Sequence, residues 1–124
     1  MPALAAQIMG GGFSAGQVQA MNGSINNAIT AAGTTRATAT ALTNAVVNVG
    51  TATALQGVAL PVLSVPGDEI VIFNSSGNTI VVYPQSATAK FNSLGAGSGF
   101  NLGTGTGVQL NMITNTQWMA ILSA

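Results

Sequence analysis

The chain has 124 residues, 48% of them hydrophobic, and its two basic and two acidic side chains give a formal net charge of zero. Charged residues make up only 3% of the chain, against about 25% in average soluble domains, which excludes the basic groove that nucleic acids require. Cysteine and histidine are absent, which excludes disulfides, thiolate metal sites and the base that usually activates a serine or threonine nucleophile.

The first thirteen residues are interpreted as an N-terminal arm, because their apolar side chains follow no period and three consecutive glycines interrupt them. Two interpretations stay open. The arm is a free chain end, as is common at termini, or it docks on a neighbouring protein. In the second case the contact residues are Leu4, Ile8, Met9 and Phe13.

A short helix is predicted from Ser14 to Gly33. Ser14 is a suitable N-cap, Gln17 completes a capping-box pattern, and Gly33 is a suitable end. This helix packs on its own domain, or its apolar stripe contacts a second copy at an oligomer axis. The stripe has three- and four-residue spacing and consists of Val18, Met21, Ile25, Ala28, Ile29 and Ala32.

A β domain is predicted from residue 34 to residue 124, because the apolar period changes to two at Thr34. Its centre is the segment DEIVIFNSSGNTIVVYP, in which Ile70–Phe73 and Thr79–Tyr83 flank a polar five-residue turn. We interpret this segment as a β-hairpin. Both faces of the hairpin are apolar, so it lies centrally in a sandwich or barrel, or another subunit covers one face.

The C-terminal part predicts two short strands, at Lys90–Phe91 and Phe100–Leu102, and a closing hairpin in residues 107–122. Trp118 lies in that hairpin and is interpreted as a core residue, with a ligand-stacking platform as the alternative. The whole pattern predicts a mainly β fold, a small eight-stranded antiparallel sandwich or barrel of jelly-roll type, preceded by the arm and one short helix.

The sequence offers no catalytic, metal or cofactor site. Asp68 and Glu69 are the only carboxylate side chains, and neighbours on a strand point to opposite faces, so they do not converge as an acid–base pair. The glycine-rich loops lack the Lys-Ser/Thr ending of a phosphate-binding loop. No apolar run reaches the eighteen or so residues of a membrane-spanning helix. We therefore expect neither enzymatic activity nor a membrane or nucleic-acid partner.

Four segments resemble a recurrent small β module of tailed-bacteriophage virion proteins. They are AAGTTRATATALTNAVVNV (Ala31–Val49), GVALP (Gly57–Pro61), PGDEIVIFNSSGNTIVVYP (Pro66–Pro84) and TNTQWMAIL (Thr114–Leu122). Members of that group are head decoration, fibre or other structural proteins. The resemblance therefore implies a virion component that has no catalytic residues to carry over.

The module here follows only a short arm and helix rather than a long fibre shaft, which favours a capsid decoration, or cement, protein on the outside of the shell. Its expected partners are the major capsid protein and, in a homotrimer, itself. The alternative is a tail-fibre or head-fibre tip that binds host-surface carbohydrate with Trp118 as the platform. A weaker third interpretation is an assembly subunit of a cellular compartment.

Overall fold

The computed structural model describes residues 25–123, which form ten β-strands and contain no helix. The prediction of a mainly β fold is confirmed, and the expected number of strands rises from eight to ten. The strands are β1 (Ile25–Thr30), β2 (Thr40–Ala41), β3 (Val46–Thr51), β4 (Gly57–Ala59), β5 (Glu69–Asn74), β6 (Ile80–Tyr83), β7 (Lys90–Phe91), β8 (Phe100–Leu102), β9 (Thr106–Thr114) and β10 (Gln117–Leu122).

The first six strands alternate between two sheets. The six-stranded sheet has the order β1-β3-β5-β9-β10-β7, and the four-stranded sheet has the order β2-β4-β6-β8. Strands β1, β3 and β5 pair in parallel, and so do β2, β4 and β6. The chain therefore winds as three stacked coils: coil 1 holds β1 and β2, coil 2 holds β3 and β4, and coil 3 holds β5 and β6. This solenoid-like stacking replaces the antiparallel sandwich or barrel that the sequence predicted.

The closing hairpin is confirmed. Strands β9 and β10 pair antiparallel, and β9 also pairs antiparallel with β5, which joins the hairpin to coil 3. Strand β7 pairs in parallel with β10, and β8 pairs antiparallel with β6. The C-terminal part of the chain thus extends both sheets beyond coil 3.

The core lies between the two sheets and follows the alternation of side chains along each strand. In β5, Ile70 and Ile72 are buried while Phe73 is exposed, and β9 alternates in the same way. Burying such side chains supplies the main favourable term in folding. The fully buried large side chains are Trp118, Phe91, Leu42, Leu60, Ile72, Ile80, Leu102, Leu110, Val47, Val49, Val58 and Val82.

The prediction of a central hairpin is wrong. Strands β5 and β6 do not pair with each other; they lie in different sheets, and Ser75–Thr79 is an arc that carries the chain from one sheet to the other. The arc is built around Asn74, which is in phase with Ile70 and Ile72 and is fully buried. A buried amide needs partners for all its polar atoms, and those partners fold the following residues back over the core.

Asn74 finds these partners on both sides of the arc. Its Nδ2 donates to the carbonyl oxygens of Asn78 and Leu102, each at 2.9 Å. Its Oδ1 accepts from the backbone N–H of Ser76 at 3.0 Å and from the Ser76 hydroxyl at 2.7 Å. Because Leu102 belongs to β8, this one side chain ties the arc to the four-stranded sheet.

The predicted helix is wrong where the structure describes it, since Ile25–Thr30 is strand β1 of the six-stranded sheet. The spacing of Ile25 and Ile29 fits a strand with a bulge as well as a helix. Between Asn26 and Ile29, β1 has one more residue than the opposite segment of β3 from Val47 to Val49. An extra residue reverses the alternation, so Ile29 packs against the core while Ile25 is exposed.

We predict that Asn74→Asp lowers the free energy of unfolding by about 3–5 kcal/mol. The substitution replaces the Nδ2 amide, which donates two hydrogen bonds, by an oxygen that faces two carbonyl oxygens. It also buries a negative charge that has no partner. Chemical denaturation followed by circular dichroism measures the loss. Asn101→Asp is the matched control, since Asn101 is an exposed strand residue and its substitution should change stability by less than about 0.5 kcal/mol. Equal effects of the two substitutions would refute the role given to Asn74.

Candidate functional site

The two carboxylate side chains, Asp68 and Glu69, are hydrogen-bonded to other groups of the chain. Among residues 25–123, no group of three or more His, Cys, Asp or Glu side chains is placed to hold a metal ion. Asp68 instead accepts the backbone N–H of Val65 at 2.9 Å, which stabilises a turn. The same stretch of chain contains no helix with the length and hydropathy to cross a membrane. The candidate site is an exposed apolar surface.

The outward-facing side of the six-stranded sheet is apolar across several strands. Strand register aligns Ile25, Val46, Val71, Gln109 and Ile121 in one row, from β1 through β3, β5 and β9 to β10. Only Gln109 in this row is polar. Phe73 and Met119 lie on the same side of the sheet as this row, because each is two residues from a row member of its own strand, Val71 or Ile121. We call the apolar members of this set the outer face: Ile25, Val46, Val71, Phe73, Met119 and Ile121.

The outer face is open to solvent. Ile25 is 69% exposed, Ile121 is 55% exposed and Phe73 is 44% exposed. Single exposed apolar residues are ordinary, whereas large contiguous apolar patches are typical of interaction sites. The sequence predicted two apolar faces for the segment that forms β5. One of these faces is buried in the core and the other belongs to the exposed outer face.

A shallow groove of about 300 Å³ crosses the outer face. It lies over Gly107, which is paired with Phe73 across the β5–β9 ladder. Since Gly107 has no side chain, the Phe73 ring lies beside open space, and a Cβ at Gly107 would be 3.5 Å from Phe73 Cδ1. Val71 and Ile121 form the other apolar walls. The groove can accept an apolar side chain, and none of the described residues that line it is charged.

A charged side chain, Glu69, lies at one end of the outer face. Glu69 begins β5, and its Oε2 accepts hydrogen bonds from the side-chain amides of Gln109 at 3.2 Å and Asn111 at 3.4 Å. These amides solvate the carboxylate from within the sheet. Glu69 is therefore already hydrogen-bonded, and contacts to the outer face rest mainly on apolar surface and uncharged amides.

A second apolar surface is the loop between β4 and β5. Leu63 is 87% exposed and Val62 is 73% exposed. The loop is held by one local and one long-range hydrogen bond. The Ser64 hydroxyl donates to the Pro61 carbonyl at 2.6 Å, and the Gly67 N–H donates to the Met112 carbonyl of β9 at 2.8 Å. The loop therefore exposes two large aliphatic side chains that could contact another molecule.

The residues that the sequence singled out are only partly brought together. Ile25 belongs to the outer face, but Ile29 packs on the core. The other predicted contact residues, Leu4, Ile8, Met9, Phe13, Val18 and Met21, lie outside the described residues, as does the Ser14 cap. Sequence reasoning missed Val46, Met119 and Ile121, because they meet only when the register of non-neighbouring strands is known.

Trp118 is fully buried, and its indole N–H donates to Gln85 Oε1 at 2.7 Å. Its buried ring is part of the core, in line with the first of the two interpretations. A sugar-stacking platform needs an exposed ring face, which Trp118 does not offer in this structure.

No protein-family model matches the chain, and neither a curated protein nor a solved structure is significantly similar to it.

Because Trp118 is the single tryptophan, its fluorescence reports on this position alone. We expect blue-shifted emission and weak quenching by acrylamide in the native protein, since the ring is packed away from water. Quenching should rise several-fold on denaturation, which serves as the internal reference. A native protein that is quenched as readily as the denatured one would place the ring at the surface and reopen the platform interpretation.

Proposed function

We propose that this protein is a structural component of a virus particle, and specifically a decoration protein that binds the outside of a tailed-bacteriophage capsid and stabilises contacts between major capsid proteins. The observation that carries the proposal is the outer face, an apolar surface on a chain with almost no charge. The resemblance of the four sequence segments to phage virion proteins supports the choice of a virus particle.

The near absence of charged residues favours a protein that functions within an assembly. A free protein at zero net charge repels its own copies weakly. On a shell the same property is useful, because many neighbouring copies do not accumulate repulsion. The inner positions of the strands are already filled, so the apolar residues of the outer face are available to contact a partner.

The energetics favour attachment by several copies at once. Complete burial of Val46, Val71, Phe73 and Ile121 would stabilise a complex by roughly 6–12 kcal/mol, at about 1.5–3 kcal/mol for each side chain. About half of that surface is already covered, since Val46, Phe73 and Ile121 are 41%, 44% and 55% exposed. This leaves roughly 3–6 kcal/mol, and association costs at least about 4 kcal/mol. One copy alone therefore binds weakly.

A homotrimer meets this requirement. Three binding surfaces linked in one trimer raise the apparent affinity by orders of magnitude without any new contact. Closed symmetric assemblies are also the usual form of homo-oligomers. The proposed partner surface on the major capsid protein is apolar and uncharged, since the outer face offers little for an ion pair. Binding by such a surface depends little on ionic strength.

The test uses capsids of a tailed phage that encodes this chain, prepared without it, and measures the bound protein by co-sedimentation. We expect Phe73→Lys combined with Ile121→Lys to weaken binding by tenfold or more, because each lysine places an unpaired charge against an apolar surface. Leu94→Lys is the matched control: Leu94 is 41% exposed, close to the 44% of Phe73, but lies in the loop between β7 and β8 and is not part of the outer face.

Both proteins should melt at the temperature of the unsubstituted chain, which separates a binding defect from a folding defect. Occupancy should also be nearly equal at about 0.05 M and about 0.5 M salt, where the Debye length falls from roughly 14 Å to 4 Å. A steep loss of occupancy at high salt, or equal binding by the outer-face variant and its control, would contradict the proposal.

A further inference from the structure

Strand β10 has a sequence that is suited to pairing with another copy of itself. Its six residues, QWMAIL, include no charged residue, no proline and no glycine. Short apolar segments of this kind stack readily on identical segments of other chains when their backbone is accessible. The zero net charge of the chain adds little repulsion against such contacts. The backbone groups of β10 therefore need partners within their own chain.

One side of β10 pairs with β9 along its whole length, and the other side pairs with β7 over two residues only. Among the described strands, β7 is the outermost one at this end of the six-stranded sheet. The Lys90 N–H donates to the Thr116 carbonyl at 3.0 Å, and the Asn92 N–H donates to the Trp118 carbonyl at 2.9 Å. A parallel ladder advances by two residues at each step, so the next residue of β10 to be paired is Ala120.

At this step the side chain of Asn92 takes the place of a strand. Its Oδ1 accepts the Ala120 N–H at 2.9 Å, and its Nδ2 donates to the Ala120 carbonyl at 3.2 Å. A side-chain amide carries both a donor and an acceptor, as a peptide group does. One side chain therefore occupies both backbone groups that Ala120 offers on this side. A strand of another chain cannot pair with Ala120 while Asn92 is bound there.

The backbone conformation of Asn92 ends β7 at this point. Its φ of 48° lies in the left-handed region, which residues other than glycine adopt rarely and asparagine adopts more readily than most. The chain turns away from β10, and the Leu94 N–H donates to the Phe91 carbonyl at 2.9 Å instead of to β10. The Asn92 carbonyl accepts the side-chain amide of Gln117 at 3.0 Å. The backbone of β7 thus stops at the residue whose side chain continues its hydrogen bonding.

Two further features of β7 are typical of protected sheet edges. Proteins discourage the addition of strands by making edge strands very short and by placing charged side chains on them, especially lysine. Strand β7 has only two residues, and one of them is the exposed Lys90. Lys90 is one of just two basic side chains in the chain. A scarce charge therefore lies on the same edge as the Asn92 amide.

We propose that Asn92, helped by Lys90 and the shortness of β7, is an edge stop that prevents β10 from pairing edge to edge with a second copy of this chain. The edge stop acts in the free protein before any assembly. The inference therefore goes beyond the proposed function and does not depend on it. It explains how a strand-rich chain with almost no charge is kept from associating through its sheet.

Asn92→Gly tests the edge stop, because glycine accepts the positive φ while the amide is removed. At low protein concentration, we expect hydrogen exchange at the Ala120 N–H, followed by NMR, to become several-fold faster. At high concentration, light scattering should show particles larger than those of the unsubstituted protein, growing several-fold faster. Asn115→Gly is the matched control, since Asn115 is an exposed residue in the turn between β9 and β10. Both readouts should stay unchanged in the control.

A second variant separates edge pairing from association through unfolded chains. Val47→Ala shortens a buried side chain of β3, which β5 and β9 separate from β10. It should lower the melting temperature by several degrees without faster growth of particles. Equal growth in Val47→Ala and Asn92→Gly would overturn the proposal, and so would unchanged exchange at Ala120 or unchanged association of Asn92→Gly. None of these measurements involves capsids, so their failure is distinct from a failure of the capsid-binding test.

Discussion

The structure depends on the hydrogen bonds that carry the chain from one sheet to the other. Each coil makes this crossing once, and in coil 3 the crossing is made by the buried Asn74. Its amide uses both donors on backbone carbonyls and its oxygen on Ser76. A buried amide of this kind stabilises only when it is fully bonded, so the arc is fixed in one conformation.

The same interaction also sets the relation between the two sheets. One of the two carbonyls that Asn74 holds belongs to Leu102 in β8, 28 residues further along the chain. Strand β8 is the outermost strand of the four-stranded sheet next to β6. Alternate residues of β5 point inward and end at Asn74. The residues between them therefore point outward, and they contribute Val71 and Phe73 to the outer face. Fold and candidate binding surface follow from one alternation.

Local patterns predicted the strands better than their pairing. The closing hairpin was predictable because β9 and β10 alternate clearly and only a two-residue turn separates them. The central hairpin was not, since Asn, Ser and Gly favour turns of every kind, whether the chain folds back in one sheet or crosses to the next. The telling residue was Asn74, a polar side chain in phase with the apolar face, which sequence reasoning assigned to the turn.

The candidate surface was predictable only in part. The alternation of Val71 and Phe73 indicated a second apolar side that needs a cover. The contributions of Ile25, Val46 and Ile121 depend on strand order, which brings together residues that lie up to 96 positions apart (121 − 25). The bulge in β1 likewise escaped prediction, because an extra residue leaves no mark in an apolar pattern that also fits a helix.

The position of β9 in the sheet has a consequence for the order of folding. During synthesis the coils emerge from the ribosome one after another, and each can pair with the coil made before it. Strand β5 is different, because its second neighbour, Thr106–Thr114, is made more than thirty residues later. Until then a nascent chain carries an unpaired, strongly apolar strand at the growing end of its stack, and such edges recruit other chains. Association between nascent chains is therefore most favoured in the interval between the synthesis of β5 and that of β9.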